Sequence, residues 1–117
     1  MKRDIRVYIE DVLESIERIE EYTGSMSEDN FYDNVQAQDA VLRRLEVIGE
    51  AVKQIPEDFR DKHPSIPWKK IAGMRDVLIH GYFGVNLKRV WKAIREEIPD
   101  LRQKLILAKK DLKGGGE

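Results

Sequence analysis

Residues 38–56 read QDAVLRRLEVIGEAVKQIP and carry the clearest helical pattern in the chain. Apolar residues recur there in steps of three and four, as along one face of an α-helix, and charged residues fill the opposite face. The pattern starts near Val35 and stops at Pro56. Gly49 lies inside the apolar stripe, where glycine costs helix propensity, so we expect another helix to approach closely at this position.

Helical signals continue on both sides of this segment. Before it, the sequence predicts a helix that is capped by Asp4 and ends at Gly24. A short helical turn is expected next, because Ser25 and Glu28 have the spacing of a capping box. After the long segment, a short helix over residues 56–61 is expected to open at its proline.

The second half of the chain also has a helical pattern. The two prolines within residues 63–67 predict an irregular connector, and the next helix opens at residue 67 or 68 and stops near Gly81. Asn86 can cap a final helix. Pro99 lies inside that helix, so we expect a kink or a break there.

These patterns predict an all-α protein, an antiparallel bundle of four principal helices with short helical turns. A chain of 117 residues has room for one domain, which we place at residues 1–113. Residues 114–117 read GGGE and are predicted to form a disordered tail.

Composition argues against several classes of site. The chain has no cysteine and two histidines, so we expect no disulfide scaffold, thiolate nucleophile or multi-histidine metal centre. It has no Walker-type phosphate loop and no HExxH motif, and we predict neither a metal nor a cofactor. Since it also lacks an apolar run of roughly 18 residues and a signal-peptide core, we expect a cytoplasmic protein that does not enter membranes.

The net charge of −1 conceals an uneven distribution of charge. Residues 1–60 carry 8 basic and 15 acidic side chains, whereas residues 61–117 carry 13 basic and 7 acidic ones. Either the basic half meets an anionic partner, or an acidic helix and a basic helix lie side by side.

The segment MRDVLIHGYF, residues 74–83, holds side chains that could carry chemistry. A neutral histidine such as His80 can accept a proton from a hydroxyl and return one in its protonated form. The guanidinium of Arg75 can hold a phosphate and stabilise charge that develops on it. Together these groups suffice for metal-free cleavage of RNA with the ribose 2′-hydroxyl as nucleophile.

The spacing of the two residues leaves this function open. Residues five apart on a regular helix lie about 140° apart around its axis, so Arg75 and His80 do not share a face. They converge if the helix loosens near Gly81, if the arginine reaches round, or if a second subunit completes the site. Alternatively, Arg75 pairs with a glutamate of the first helix, His80 hydrogen-bonds a carbonyl, and Tyr82 is an ordinary partly buried aromatic residue.

The same segment resembles the R-x4-6-H motif of the HEPN superfamily. It is similar in particular to the R-x4-H-x-Y form of the HepT-like toxins, here Arg75, His80 and Tyr82. Asp76 follows the arginine, where that superfamily prefers a polar residue. The resemblance covers nearly the whole chain, including residues 38–56, the run PSIPWKKIAGMRDVLIHGYFGVNLKRVW of residues 64–91 and the IPDL of residues 98–101.

The resemblance implies a specific activity and a specific partner. HepT-like proteins are homodimers whose motif helices face each other across a composite cleft, and they act as metal-independent endoribonuclease toxins. Their partner is an MntA-type minimal nucleotidyltransferase antitoxin, which uses ATP to attach AMP to the motif tyrosine. On that basis Arg75 would bind the scissile phosphate and Asp76 would orient the reacting groups. His80 would be the acid and base, and Tyr82 would accept AMP.

Basic side chains flank the motif on both sides in sequence and could track RNA phosphates. A solvated helix face explains these residues equally well. Trp68 and Trp91 could stack on bases, although their helical spacing favours packing in the core. The basic residues are Lys69, Lys70, Lys88, Arg89 and Lys92.

Two other functions compete with a ribonuclease. The bundle could be a non-catalytic module that binds a nucleotide or regulates a nucleotidyltransferase, or it could be a purely structural helical dimer. RNA cleavage that is lost in His80→Ala would separate the enzyme from both.

Overall fold

The structure is a computed structural model that describes residues 4–74 and 86–115, with side chains as far as Leu112. Every regular element in these residues is helical, so the predicted all-α fold is confirmed. The three long helices are α1 (Ile5–Thr23), α3 (Val35–Lys53) and α7 (Ile98–Gly115). The short ones are α2 (Glu28–Tyr32), α4 (Glu57–Lys62), α5 (Trp68–Ala72) and α6 (Leu87–Lys92), and a π-helical segment, Ala93–Glu97, joins α6 to α7.

The first and last helices pack side by side and run antiparallel. Glu20 of α1 pairs with Arg102 of α7 at 3.1 Å, and Glu10 pairs with Lys109. The residue numbers rise along one helix as they fall along the other, which fixes the direction. The acidic first helix therefore neutralises part of the basic last helix, and the side-by-side interpretation of the charge asymmetry is confirmed.

The hydrophobic core is formed mainly by α1, α3 and α7, with α1 packed against both of the others. Each of these helices buries the apolar stripe that its sequence period predicts. Burial of one such aliphatic side chain stabilises the folded state by roughly 1.5–3 kcal/mol relative to leaving it exposed. The core side chains with 1% exposure or less include Ile9, Val12, Ile16 and Ile19 of α1, Val41, Leu45, Ile48 and Val52 of α3, and Leu105 of α7.

The close approach predicted at Gly49 is confirmed. A Cβ atom on this residue would lie 3.3 Å from the carbonyl oxygen of Ala72, the last residue of α5. Only a hydrogen at this position lets the backbone of α5 settle against α3 without displacement.

The ends of α1 are as predicted, whereas the capping pair of α2 is not. Asp4 caps α1 by accepting a hydrogen bond from the backbone of Arg6, and Gly24 ends the helix. The predicted box of Ser25 and Glu28 is wrong, because residue 25 is still in the turn that follows α1. The capping box lies two residues later, where Ser27 has an extended backbone and exchanges hydrogen bonds with Asn30.

Two short helices differ slightly from their predictions. Pro56 precedes α4 as its N-cap residue and is not its first helical residue. The helix expected to run from residue 67 or 68 to near Gly81 is interrupted, since α5 ends at Ala72 and Gly73 is its C-cap. The rest of the predicted helix, residues 75–81, lies outside the described residues.

A break predicted at Pro99 is not seen, because α7 runs through this residue, and the helix is irregular just before it, in the π-helical segment Ala93–Glu97. Proline has no N–H to donate to the carbonyl four residues back, and its ring clashes with that carbonyl, so the preceding turn widens.

Helix α7 is described as far as Gly115, which lies within the predicted tail. The domain boundary at residue 113 stays a prediction. In the part of the chain that the structure describes, no helix is both long and apolar enough to cross a membrane.

Candidate functional site

Helices α5 and α6 border the segment of the sequence motif. The four motif residues, Arg75, Asp76, His80 and Tyr82, lie outside the described residues. The structure instead describes the two helices on either side of them, α5 and α6, which we call the flanks of the motif. Helix α5 carries Lys69 and Lys70, and α6 carries Lys88, Arg89 and Lys92, so the predicted RNA-binding residues stand on the elements that lead into and out of the motif.

Helix α5 is held in place by its first residue. Trp68 is buried, and its indole N–H donates to the carbonyl oxygens of Arg60 and His63 at 3.2 and 3.1 Å. Ile71 is buried on the same side of the helix. These contacts confirm the packing interpretation of this tryptophan and leave the lysine side chains of α5 to point outward.

Helix α6 is fixed by a cap and by an aromatic contact. The side chain of Asn86 accepts a hydrogen bond from the backbone N–H of Arg89 at 3.1 Å, as the sequence predicts. Trp91 places its ring 5.4 Å from that of Phe31, and the guanidinium of Arg95 lies over it at 4.2 Å. This second tryptophan is therefore also a packing residue.

Glu97 connects the two flanks. One of its carboxylate oxygens lies 3.0 Å from Arg89 Nη2 of α6 and 3.4 Å from Lys70 Nζ of α5. The side chains of Glu97 and Arg89 are 18% and 24% exposed, whereas that of Lys70 is 56% exposed. The arrangement is thus a largely buried ion pair with one solvated partner.

The cluster of Lys70, Arg89 and Glu97 (the Glu97 cluster) contains two buried polar atoms whose hydrogen-bonding capacity the described residues do not use. Glu97 Oε1 and Arg89 Nη1 are buried and have no hydrogen-bond partner among the residues that the structure describes. A cavity of about 90 Å³ adjoins the cluster and is lined in part by Lys70, Glu97 and Met74, the residue before the motif arginine. Two members of the cluster and the residue that precedes the motif therefore line the same cavity.

The five predicted RNA-binding residues fall into two groups. Lys70 and Arg89 are paired with Glu97, so part of their charge is already neutralised. Within residues 4–74 and 86–112, Lys69, Lys88 and Lys92 form no ion pair. These three side chains are thus the flanking cations that no described acidic side chain neutralises.

Two grooves adjoin α3 but differ from the flanks in charge. Their volumes are about 680 and 570 Å³, and both are lined by Tyr8, Lys53 and Gln54. Each also has acidic residues in its wall, among them Glu57 in the first and Glu46 in the second. Neither presents the uniformly basic surface that a phosphate backbone requires.

Glu97 was missed by sequence reasoning, which considered only the basic residues around the motif. The signal was weak, because this residue is one of two adjacent glutamates and stands eight positions after Arg89.

Among the described residues, no group of three or more acidic or histidine side chains is arranged to hold a metal ion.

Comparisons with known proteins agree with the resemblance seen in the sequence. Residues 12–107 match the family model described as "Ribonuclease HepT-like". The chain is 50% identical over 104 residues to the "Probable ribonuclease HepT" of Thermococcus cleftensis, which covers 89% of this chain and 94% of that protein. It is 47% identical over 116 residues to a "Putative RNase" of Methanocaldococcus jannaschii, covering 99% of this chain and 96% of the relative.

A longer relative also matches. The "Gamma-glutamylcyclotransferase and putative RNase" of Methanocaldococcus jannaschii is 46% identical over 112 residues. The match covers 96% of this chain, but the chain spans only about half, 50%, of that relative's length. No solved structure matches the chain.

Proposed function

Because the chain belongs to the HepT-like ribonuclease family, we propose that it is an endoribonuclease whose active site is built on residues 75–82. The observation that carries this proposal is the family match over residues 12–107, which includes the whole motif and both bordering helices. The names of the relatives from Thermococcus and Methanocaldococcus, which refer to ribonucleases, support the same activity.

The proposed reaction needs no metal ion. His80 removes the proton of a ribose 2′-hydroxyl, the 2′-oxygen forms a bond to the adjacent phosphorus, and the bond to the 5′-oxygen of the next nucleotide breaks. Protonated imidazole returns a proton to that leaving oxygen. Arg75 holds the phosphate and stabilises the additional negative charge, while Asp76 orients the two groups. DNA lacks the 2′-hydroxyl and is not cleaved.

The site is proposed to be completed in a homodimer. On a regular helix Arg75 and His80 point in different directions, about 140° apart. Two copies with their motif segments facing each other bring an arginine and a histidine to both sides of one cleft. RNA would approach this cleft past Lys69, Lys88 and Lys92, the flanking cations without an ion pair in the described part of the chain.

The chain is further proposed to be the toxin of a toxin–antitoxin pair in the cytoplasm. Its partner would be an MntA-type nucleotidyltransferase that transfers AMP to Tyr82. AMP on this tyrosine would place a bulky anion two residues from His80, where it blocks RNA by volume and repels the RNA backbone by charge.

Incubation of the unmodified protein with total RNA in EDTA tests the ribonuclease. We expect cleavage that His80→Ala abolishes and that His63→Ala retains, since His63 stands at the end of α4, outside the motif. Circular dichroism verifies that both variants are folded. If unmodified wild-type protein leaves RNA intact, the ribonuclease proposal is wrong and a non-catalytic binding module becomes the better account.

Intact mass tests the proposed modification separately. Protein co-expressed with the nucleotidyltransferase should gain the mass of AMP and lose its activity on RNA. Tyr82→Phe should prevent both changes, whereas Tyr22→Phe, which alters an exposed tyrosine of α1, should prevent neither. An unchanged mass in the wild-type protein would exclude modification while leaving the ribonuclease intact.

A further inference from the structure

We propose that Glu97 is a positioning residue of the RNA-cleaving site, acting through the two helices that border the motif. The inference rests on the proposed ribonuclease function and adds to it a residue outside the motif. The carboxylate of Glu97 contacts both Lys70 of α5 and Arg89 of α6 and so links the helices that stand before and after residues 75–85 in the chain.

The geometry of the cluster supports a bridge between helices. Both contacts converge on one oxygen, Oε2, at 3.0 Å from Arg89 and 3.4 Å from Lys70. Lys70 lies five residues before Arg75, and Arg89 lies four residues after the last residue of the motif-bearing segment 75–85. Arg89 and Glu97 belong to one continuous helical stretch, so a displacement of α5 relative to that stretch would break the contact between Lys70 and Glu97.

The cost of placing a carboxylate here indicates a specific role. A charged group that is largely removed from water loses hydration energy, and a well-packed apolar pair is often as stable or more stable. The neighbouring Glu96 is exposed and has no ion pair among the described residues. The chain thus has two adjacent glutamates, of which Glu96 is exposed and Glu97 is partly buried against Lys70 and Arg89.

Fixing the flanks serves catalysis by keeping the reacting groups aligned. A phosphate-binding arginine and a proton-transferring histidine must be held in the right geometry, and a misplacement of about 1 Å can cost roughly 100-fold in rate. The bridge also occupies Lys70 and Arg89, so Lys69, Lys88 and Lys92 remain as the flanking residues that bind RNA phosphates. Glu97 therefore acts on the rate of cleavage more than on the affinity for RNA.

Replacement of each glutamate by glutamine gives a matched test, because Glu97→Gln and Glu96→Gln remove the same charge from adjacent positions. We expect Glu97→Gln to lower kcat at least about tenfold with KM changed by less than about threefold, in assays below the melting temperature of both variants. Glu96→Gln should keep the wild-type kcat. Glu97→Asp retains the carboxylate and should recover part of the rate, and it replaces Glu97→Gln if that variant does not fold.

The outcomes separate this inference from the proposed function. If the wild-type protein cleaves RNA and Glu97→Gln cleaves it equally fast, or if its defect lies in KM alone, Glu97 is not a positioning residue and the ribonuclease stands. If the wild-type protein does not cleave RNA, the proposed function fails and this inference fails with it. A stability cycle of Glu97→Gln with Lys70→Gln measures the contact that links α5 to the last helical stretch: a coupling near zero would overturn the inference even in an active enzyme.

Discussion

Arg89 and Glu97 lie on one face of the last helical stretch because a π-helical segment separates them. Eight residues along a regular α-helix end about 80° away from the starting direction, whereas seven end about 20° away. The π turn at Ala93–Glu97 accommodates one extra residue, so the eighth residue occupies the place of a seventh. The two charged groups consequently meet at 3.0 Å.

This pairing predicts which flanking cations bind RNA. Each lysine that contacts a phosphate releases counterions from the RNA. When such a lysine is lost, the slope of log RNA affinity against log salt concentration should become less steep by about 0.7. We expect this decrease for Lys88→Ala and a much smaller one for Lys70→Ala, whose charge is shared with Glu97. The measurement is a salt titration of RNA binding in the His80→Ala background, which prevents cleavage.

Both lysines are on short helices beside the motif, so the two variants are controls for each other. An equal decrease for Lys70→Ala and Lys88→Ala would mean that Glu97 does not withhold Lys70 from the RNA. The same titration with Arg89→Gln extends the comparison to the more buried partner.

The sequence predicted the helices better than the contacts between them. The apolar period identified α1 and α3, and the caps at Asp4 and Asn86 were correct because a capping side chain acts on its own turn. Glu97 was not found, since its role depends on a widened turn and on a second helix brought near it by folding. The break at Gly73 was missed for a similar reason, because the helical pattern of the residues continues through it.

Substitution of Gly49 tests the contact between α3 and α5. In Gly49→Val the Cβ atom would lie near 3.3 Å from the carbonyl oxygen of Ala72, and its methyl groups would crowd the same backbone. We expect the free energy of unfolding to fall by about 1–3 kcal/mol, as for other overpacked sites. Arg43→Val on the exposed face of the same helix should change it by only about 0.5 kcal/mol. Urea denaturation measures both, and equal effects would contradict the close approach.

Trp91 provides a test of packing against RNA binding. Its ring contacts Phe31 and Arg95, so Trp91→Ala should lower the free energy of unfolding by about 3 kcal/mol. A tryptophan that stacks on a base would instead contribute about 1–3 kcal/mol to RNA binding. We expect the affinity of the folded variant for RNA, measured in the His80→Ala background, to change by less than about threefold. A loss of affinity without a loss of stability would assign Trp91 to the RNA-binding surface.

Tyr32 should make stability depend on pH in the alkaline range. Its hydroxyl donates a hydrogen bond of 2.6 Å to the Glu28 carboxylate, and this bond raises the pKa of Tyr32 to about 12 from its ordinary value of 10.0. Because the pKa in the folded state is higher than in the unfolded state, the stabilisation is complete below pH 10 and is lost as the pH rises through about 12. The difference in stability between the wild type and Tyr32→Phe should therefore shrink across this interval. Urea denaturation at a series of pH values measures it, with Tyr22→Phe as the control for a tyrosine on α1, and a difference that stays constant from pH 9 to 12 would exclude the hydrogen bond as its source.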